Sequence, residues 1–253
     1  EIVILTVGIE EGEFRDRAML SLPGKQEQLI EAVAATGKPV IVLLSGGSAI
    51  IMNNWIDKVD AIADIWYPGE EGGNAVADVL LGKYNPSGKL TITFPMHEAQ
   101  LPLVYNHKPT GRGDDYNNLT GQPLFPFGYG LSYTTFEYSD LKFSQKQITA
   151  DGKLTVTCKI KNTGKYAGDE VVQLYIRDLL SSVSQPVIAL KGFQKISLAP
   201  GQTKEVTFDI TPELLQLLDK NMKWIVEPGD FRIMVGASSK DIRLMDNISV
   251  VAK

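Results

Sequence analysis

The chain has 253 residues, a formal net charge of −5 and 43 % hydrophobic residues, enough apolar material for one large domain or two ordinary ones. Its 25 basic residues form no block, which excludes an electrostatic footprint for nucleic acid and leaves neutral or weakly charged partners. No apolar run reaches the roughly 20 residues a membrane helix requires, so "PVIVLLSGGSAIIM" reads as a buried strand with a turn and no membrane partner is expected.

The first element, "EIVILTVG", is a continuous apolar run of the kind expected for a parallel strand buried on both faces. It opens the chain with no basic leader or cleavage site, so the sequence reads as a fragment whose sheet begins before residue 1 or is completed by another chain. Directly behind it, "GIEEGEFRDRAMLSLPGKQ" (residues 8–26) carries four acids and three bases. "GKQEQLIEAVAATG" follows as a helix with an apolar stripe of Leu29, Ile30, Val33 and Ala34, ended by Gly37 and Pro39. "PVIVLLS" is a second buried strand, a short helix is expected near "NNWIDKV", and "AIADIWY" is a third strand. "GGNAVADVLLGK" is a second helix, with Ala75, Val76, Val79 and Leu80 on one face and Gly82 at its end. This alternation is βαβ grammar and predicts a parallel sheet covered by helices.

From "PSGKLTITFP" to "LFPFGYGLSYTTF" the chain is rich in Pro, Gly and aromatics. It reads as a packed connector, because Phe125, Phe127, Tyr129, Tyr133 and Phe136 are costly to leave in water. The polar loop at 106–123 contains "RGD" (112–114) and the sequon "NLT" (118–120), both short matches with high false-positive rates. From about residue 136 the period changes to two. "KLTVTCKIKN", "EVVQLYIRD", "ALKGFQKISL", "TKEVTFDI", "MKWIVE", "GDFRIMVGA" and "IRLMDNISVV" are short strands separated by turns, the pattern of an antiparallel β-sandwich. The single cysteine, Cys158, lies in one of these alternations and reads as a small buried hydrophobe.

A loop at the carboxyl end of a parallel strand is where open α/β sheets place ligands, and Glu10, Glu11, Glu13 and Asp16 sit in such a loop. An acidic loop that merely solvates the strand end, neutralised by Arg15 and Arg17, is the competing reading. Gly12 beside Glu13 permits a sharp turn, and the arginines could fix the loop through carboxylate bonds. His97 and His107 lack metal-ligand spacing, "LSGGS" lacks the order of a nucleophile elbow, and "PGEEGGNAVADVL" has neither Walker nor dinucleotide spacing. No metal or cofactor is expected.

Four stretches in this order, "GEFRDRAMLSLPGKQ", "WYPGEEGGNAVADVLLGKYNPSGKLTITFP", "LFPFGYGLSYTTFEYSDL" and "VSQPVIALKGFQKISLAPGQTKEVTFDI", resemble the C-terminal part of a family 3 glycoside hydrolase of the bacterial periplasmic β-glucosidase type. The resemblance runs through essentially the whole chain. It implies an α/β plus all-β architecture: the C-terminal part of an α/β sandwich domain with the connector at 1–134, then a fibronectin type III-like antiparallel β-sandwich at 135–253. It implies a retaining β-glucosidase acting on terminal β-D-glucosyl residues, whose nucleophile Asp lies on an N-terminal barrel absent from this chain. In the family's G-E-x-x-[SD]-R motif Glu13 takes the place of the general acid/base, with Glu11 the second candidate. Arg15, Arg17, Trp66 and Glu70 are the candidate substrate-binding residues, and Arg15 or Arg17 with Asp16 would also orient the loop. The implied partners are a β-linked oligosaccharide or glucoside and the barrel, from the same precursor or a partner chain, with a homodimer also compatible. The implied location is periplasmic or secreted. Without the barrel the chain would be inactive. A β-xylosidase of the same family and a non-catalytic accessory module are the alternatives.

Overall fold

The structure, a computed structural model, describes residues 1–110 and 114–252, so the Arg-Gly of the RGD tripeptide lies outside the described residues. The chain clusters into two units, one made of Glu1–Tyr84, Thr93–Leu103 and Gly121–Phe125, the other of Asn85–Ile92, Val104–Thr120 and the chain from Pro126 onward.

The first unit is built on three parallel strands, β1 (Val3–Gly8), β2 (Val40–Ser45) and β3 (Ala61–Asp64), in spatial order β1-β2-β3. Helix α1 (Gln26–Ala34) crosses from β1 to β2, a 3-10 turn at Ile56–Lys58 precedes β3, and α2 (Gly72–Leu80) follows it. The central strand carries the core: Val40, Val42, Leu43 and Leu44 are buried, and Ile30 of α1 and Trp55 are fully so. The edge strand β1 departs from the expectation of burial on both faces. Val7 is buried, but Ile4 is 51 % exposed, and among the described residues β1 pairs with β2 alone. The helical stripes are likewise narrower than their apolar composition, with Leu29 half exposed and Ala75 in solvent.

Register aligns the strand ends. Gly8 pairs with Ser45 and Leu44 with Asp64, so three carboxyl-terminal strand ends lie side by side and the loops that follow them converge. Connector residues close this unit: Phe94 and Phe125 form an antiparallel bridge with rings 6.4 Å apart, and Phe94 is fully buried.

The second unit is a two-sheet sandwich. Its strands are β4 (Phe136–Phe143), β5 (Gln147–Thr149), β6 (Leu154–Asn162), β7 (Gly168–Asp178), β8 (Ala189–Leu198), β9 (Thr203–Ile210), β10 (Leu217–Leu218), β11 (Trp224–Ile225), β12 (Gly229–Gly236) and β13 (Ile242–Val251). One sheet has the order β5-β13-β12-β7-β8, the other β4-β6-β9, and β10 pairs with β11 as a small hairpin. All pairings are antiparallel except β5 with β13. Alternate residues of β6 and β9, including Val156, Cys158, Ile160, Val206 and Phe208, pack into one core with Leu174, Ile233 and Ile248 of the larger sheet. Burial pushes the Cys158 thiol up to about 11, so it behaves as an inert apolar group.

A polar bond network is buried beside this core. Tyr138 donates to Glu170 at 2.7 Å, Lys89 lies 3.8 Å from the same carboxylate, and Lys89 also donates to the Gly130 carbonyl at 2.8 Å. These contacts tie connector residues 85–92 and 126–130 to the sandwich. The aromatic connector adds Phe127, stacked on Tyr105 at 4.2 Å.

Candidate active site

The loop after β1 is fixed at its base and free at its tip. At the base, Gly8 donates its N–H to Gln26 Oε1 and accepts from Gln26 Nε2 on its carbonyl, each at 2.8 Å, so one amide side chain replaces a strand partner. Gly8 allows this close packing: a Cβ there would lie 2.0 Å from the Ser45 carbonyl oxygen. Farther along, Leu20 donates to Glu98 at 2.7 Å and accepts from Ile51 N at 3.0 Å.

Glu11 is the principal anchor. Its Oε2 accepts from Gly47 N at 2.5 Å and Tyr67 OH at 3.1 Å, and its Oε1 accepts from Ser48 Oγ. Arg17 stands 3.7 Å away, donates to Ser48 Oγ at 2.7 Å and reaches the carbonyls of Ala49 at 3.3 Å and Ser21 at 3.5 Å. Burial alone would raise the Glu11 carboxyl, but the hydrogen bonds from Ser48, Gly47 and Tyr67 and the Arg17 charge hold it below the ordinary carboxylate range. Glu11 is therefore a fixed carboxylate, poorly suited to carrying a proton.

Glu13 sits at the tip. Arg15 N donates to Gly12 O at 3.0 Å and closes a tight turn with Glu13 and Phe14 at its centre. Phe14 adopts φ 64° and is 92 % exposed. The turn leaves Glu13 exposed, and its carboxylate has no hydrogen-bond or ion-pair partner among the described residues. Arg15 pairs with Glu10 at 2.8 Å on the outside of the loop, and Asp16 is exposed.

The third loop brings Trp66 and Tyr67 to the same end. Trp66 has φ 49°, its indole meets Phe94 edge-on at 6.3 Å, and its carbonyl accepts from Ser45 Oγ at 3.0 Å and Gly46 N at 3.3 Å. It thus locks the β2 and β3 ends together, while Tyr67 joins the Glu11 cluster. Just before them, burial pushes the Asp64 carboxyl up to about 6 against one hydrogen bond from Trp66 N. Glu70 is exposed and makes no hydrogen bond to this cluster among the described residues.

Three contributors escaped the sequence reading: Gln26, Gly47 and Ser48. Gly47 has a spatial reason to be glycine, since a Cβ would lie 2.9 Å from Glu11 Oε2 and from the Tyr67 ring. "LSGGS" lacks a nucleophile's order, yet its N–H and hydroxyl are donors for a carboxylate. The histidines serve local structure. His97 accepts from Ala99 N at 3.0 Å to cap a turn, and His107 bonds the Lys108 carbonyl at 2.9 Å. Among the described residues no group of three His, Cys, Asp or Glu is placed to hold a metal ion.

Comparison with known proteins gives this geometry a family. Residues 1–133 match the model of the glycosyl hydrolase family 3 C-terminal domain, and residues 170–239 match a fibronectin type III-like domain. The chain is 42 % identical over 96 % of its length to a periplasmic beta-glucosidase of Salmonella typhimurium, covering 34 % of that protein. It is 46 % identical over 95 % of its length to a beta-xylosidase of Formosa agariphila, again covering 34 %. A beta-glucosidase from Listeria innocua, solved in complex with glucose, superposes with a TM-score of 0.94 at 36 % identity over 99 % of this chain and 36 % of that one. The chain thus spans about a third of the length of the relatives it matches. A parallel sheet ending in an anchored acidic loop, a fibronectin-like sandwich later in the chain and a family model covering more than half of the residues lead to one assignment: the chain belongs to glycoside hydrolase family 3.

Proposed function

We propose that this chain supplies the general acid/base, Glu13, of a retaining β-glucosidase whose nucleophilic Asp stands on a barrel domain outside it. The observation that carries the proposal is the contrast between two glutamates two residues apart. Glu11 is committed to Gly47, Ser48, Tyr67 and Arg17, whereas Glu13 is presented unpartnered on a turn at the carboxyl end of the sheet. A residue that must donate a proton to the leaving oxygen and then take one from water needs a carboxyl free to meet both.

In this reading binding places the glycosidic oxygen against Glu13 while the Asp attacks the anomeric carbon from the other face. Glu13 protonates the departing aglycone, then deprotonates the water that releases the sugar. Trp66, Tyr67 and Glu70 border the aglycone side, and Arg17 acts through Glu11 to hold the loop. By itself the chain has one carboxylate of the pair and is inactive. A relative solved with laminaribiose supports a β-linked glucosyl substrate, and the Salmonella relative's name supports a periplasmic location.

The test is kinetic, on the full-length protein. Glu13→Gln should lower kcat/KM by a factor on the order of 10²–10⁴ for substrates with poor leaving groups and much less for 2,4-dinitrophenyl β-D-glucoside, whose kcat, now limited by the second step, azide should restore with β-glucosyl azide as product. Equal loss with every leaving group and no azide product would overturn the assignment. The Formosa relative favours a second reading, β-xylosidase, which kcat/KM for aryl β-D-xylosides against β-D-glucosides decides.

A further inference from the structure

The fibronectin-like unit contains a cavity of about 440 Å³, remote in sequence from the Glu13 loop, which the proposed hydrolysis does not use. Its floor is apolar, formed in part by Ile176 and Phe231, both almost fully buried. The β10–β11 hairpin brings Trp224, a residue 65 % exposed, to its rim. Lys191 of β8 and Lys108 also line it. Among the described residues neither ammonium has a carboxylate within 4.0 Å, so the two cations outnumber the one acid in the cavity wall and neither is ion-paired. The acid in the wall, Asp178, accepts from Leu180 N at 3.1 Å instead.

This combination is unusual for a mere packing gap. Half-buried Lys191 has lost water without gaining a counter-ion, and burial accordingly lowers its affinity for the proton. A buried or half-buried charge is stabilised by a paired anion. An exposed indole over an apolar floor takes the flat face of a ring.

We propose that this cavity is a binding site for a small ring-bearing carboxylate, its carboxylate held between Lys191 and Lys108 and its ring laid against Trp224. An aromatic acid and an acidic sugar share that chemistry, and the probes distinguish them.

Calorimetric titration of the full-length protein with sodium 4-hydroxybenzoate, sodium glucuronate and the methyl ester of each provides the test. At least one acid should bind in the millimolar range, with its neutral ester about tenfold or more weaker, the loss expected when a charge-assisted hydrogen bond is removed. Binding by the benzoate alone identifies the aromatic source, and binding by glucuronate alone identifies the sugar. Lys191→Met should lose the same factor as the ester, and Trp224→Ala, on an exposed hairpin, should weaken acid and ester together. The acid–ester comparison on the unaltered protein stands even if Lys191→Met folds poorly. Equal affinity for acid and ester, Lys191→Met binding like the unaltered protein, or no binding of either acid at about 20 mM overturns the proposal.

Discussion

Glu11→Gln isolates the anchor of the acidic loop, because it keeps the shape of the side chain and removes its charge. Oε2 accepts from Gly47 N and Tyr67 OH, while Oε1 accepts from Ser48 Oγ and faces Arg17 at 3.7 Å. An amide can match only one of these oxygens. Its NH₂ then confronts donors, and Arg17 loses its counter-charge. A hydrogen bond to a charged group contributes about 1.5–3 kcal/mol. Glu11 is 21 % exposed, so water recovers part of that. A net loss of about 2 kcal/mol is expected, on the order of thirtyfold in the equilibrium for local opening.

Hydrogen exchange over residues 46–50 reads this directly: the Gly47 amide should exchange about thirtyfold faster in the variant at pH 7, while β2 stays protected. The pH dependence has a defined sign. The folded carboxyl titrates below its ordinary value of 4.5, so the anchor's stabilisation is complete above that value and is lost as pH falls through the lowered folded value. The difference between the two proteins should therefore narrow below pH 4.5. Equal Gly47 exchange at pH 7, or acceleration spread evenly through β2, would refute the reasoning.

Cys158, with its thiol pushed up to about 11, should resist alkylation by iodoacetamide at pH 8 in the native protein and react only on unfolding; mass spectrometry of the labelled peptide reports it. Glu170→Ala leaves the Tyr138 hydroxyl and the 14 % exposed Lys89 without their shared acceptor, and should cost about 3 kcal/mol in urea denaturation of the sandwich. Gly8→Ala drives a Cβ to 2.0 Å from the Ser45 carbonyl oxygen, a backbone contact that cannot rotate away. It should destabilise the first unit by about 3 kcal/mol or prevent its folding, seen as loss of its cooperative melt.

The two grammars of the chain were legible because each strand's burial follows its local period. The apolar run of β2 is buried along most of its length, and β6 alternates inward and outward residues as its sequence does. Strand β4 was not among the strands read from alternation. Its pairing with β6 shifts between Ser139 and Lys142, and Asp140 stands at φ 55°, so a bulge breaks the period that would reveal it. "MKWIVE" promised more than the two-residue strand Trp224–Ile225.

The site was legible only in part. Its charges and its place behind a parallel strand can be read locally, but local reading could not separate Glu11 from Glu13. The residues that separate them, Gly47, Ser48 and Tyr67, lie 36, 37 and 56 positions from Glu11 and arrive through strand register. The strained φ of Phe14 and the two-sided Gln26 amide likewise belong to the folded backbone.

The central claim, that Glu13 is one carboxyl of a retaining pair, is tested most directly by a crystal structure of the full-length protein with a non-hydrolysable glucoside. The account predicts the Glu13 carboxyl about 5–5.5 Å from a barrel Asp, across the anomeric carbon, with Glu11 still bound to Gly47 and Ser48. Glu11 facing the sugar in its place, or Glu13 turned to solvent with another acid at that distance, would contradict it.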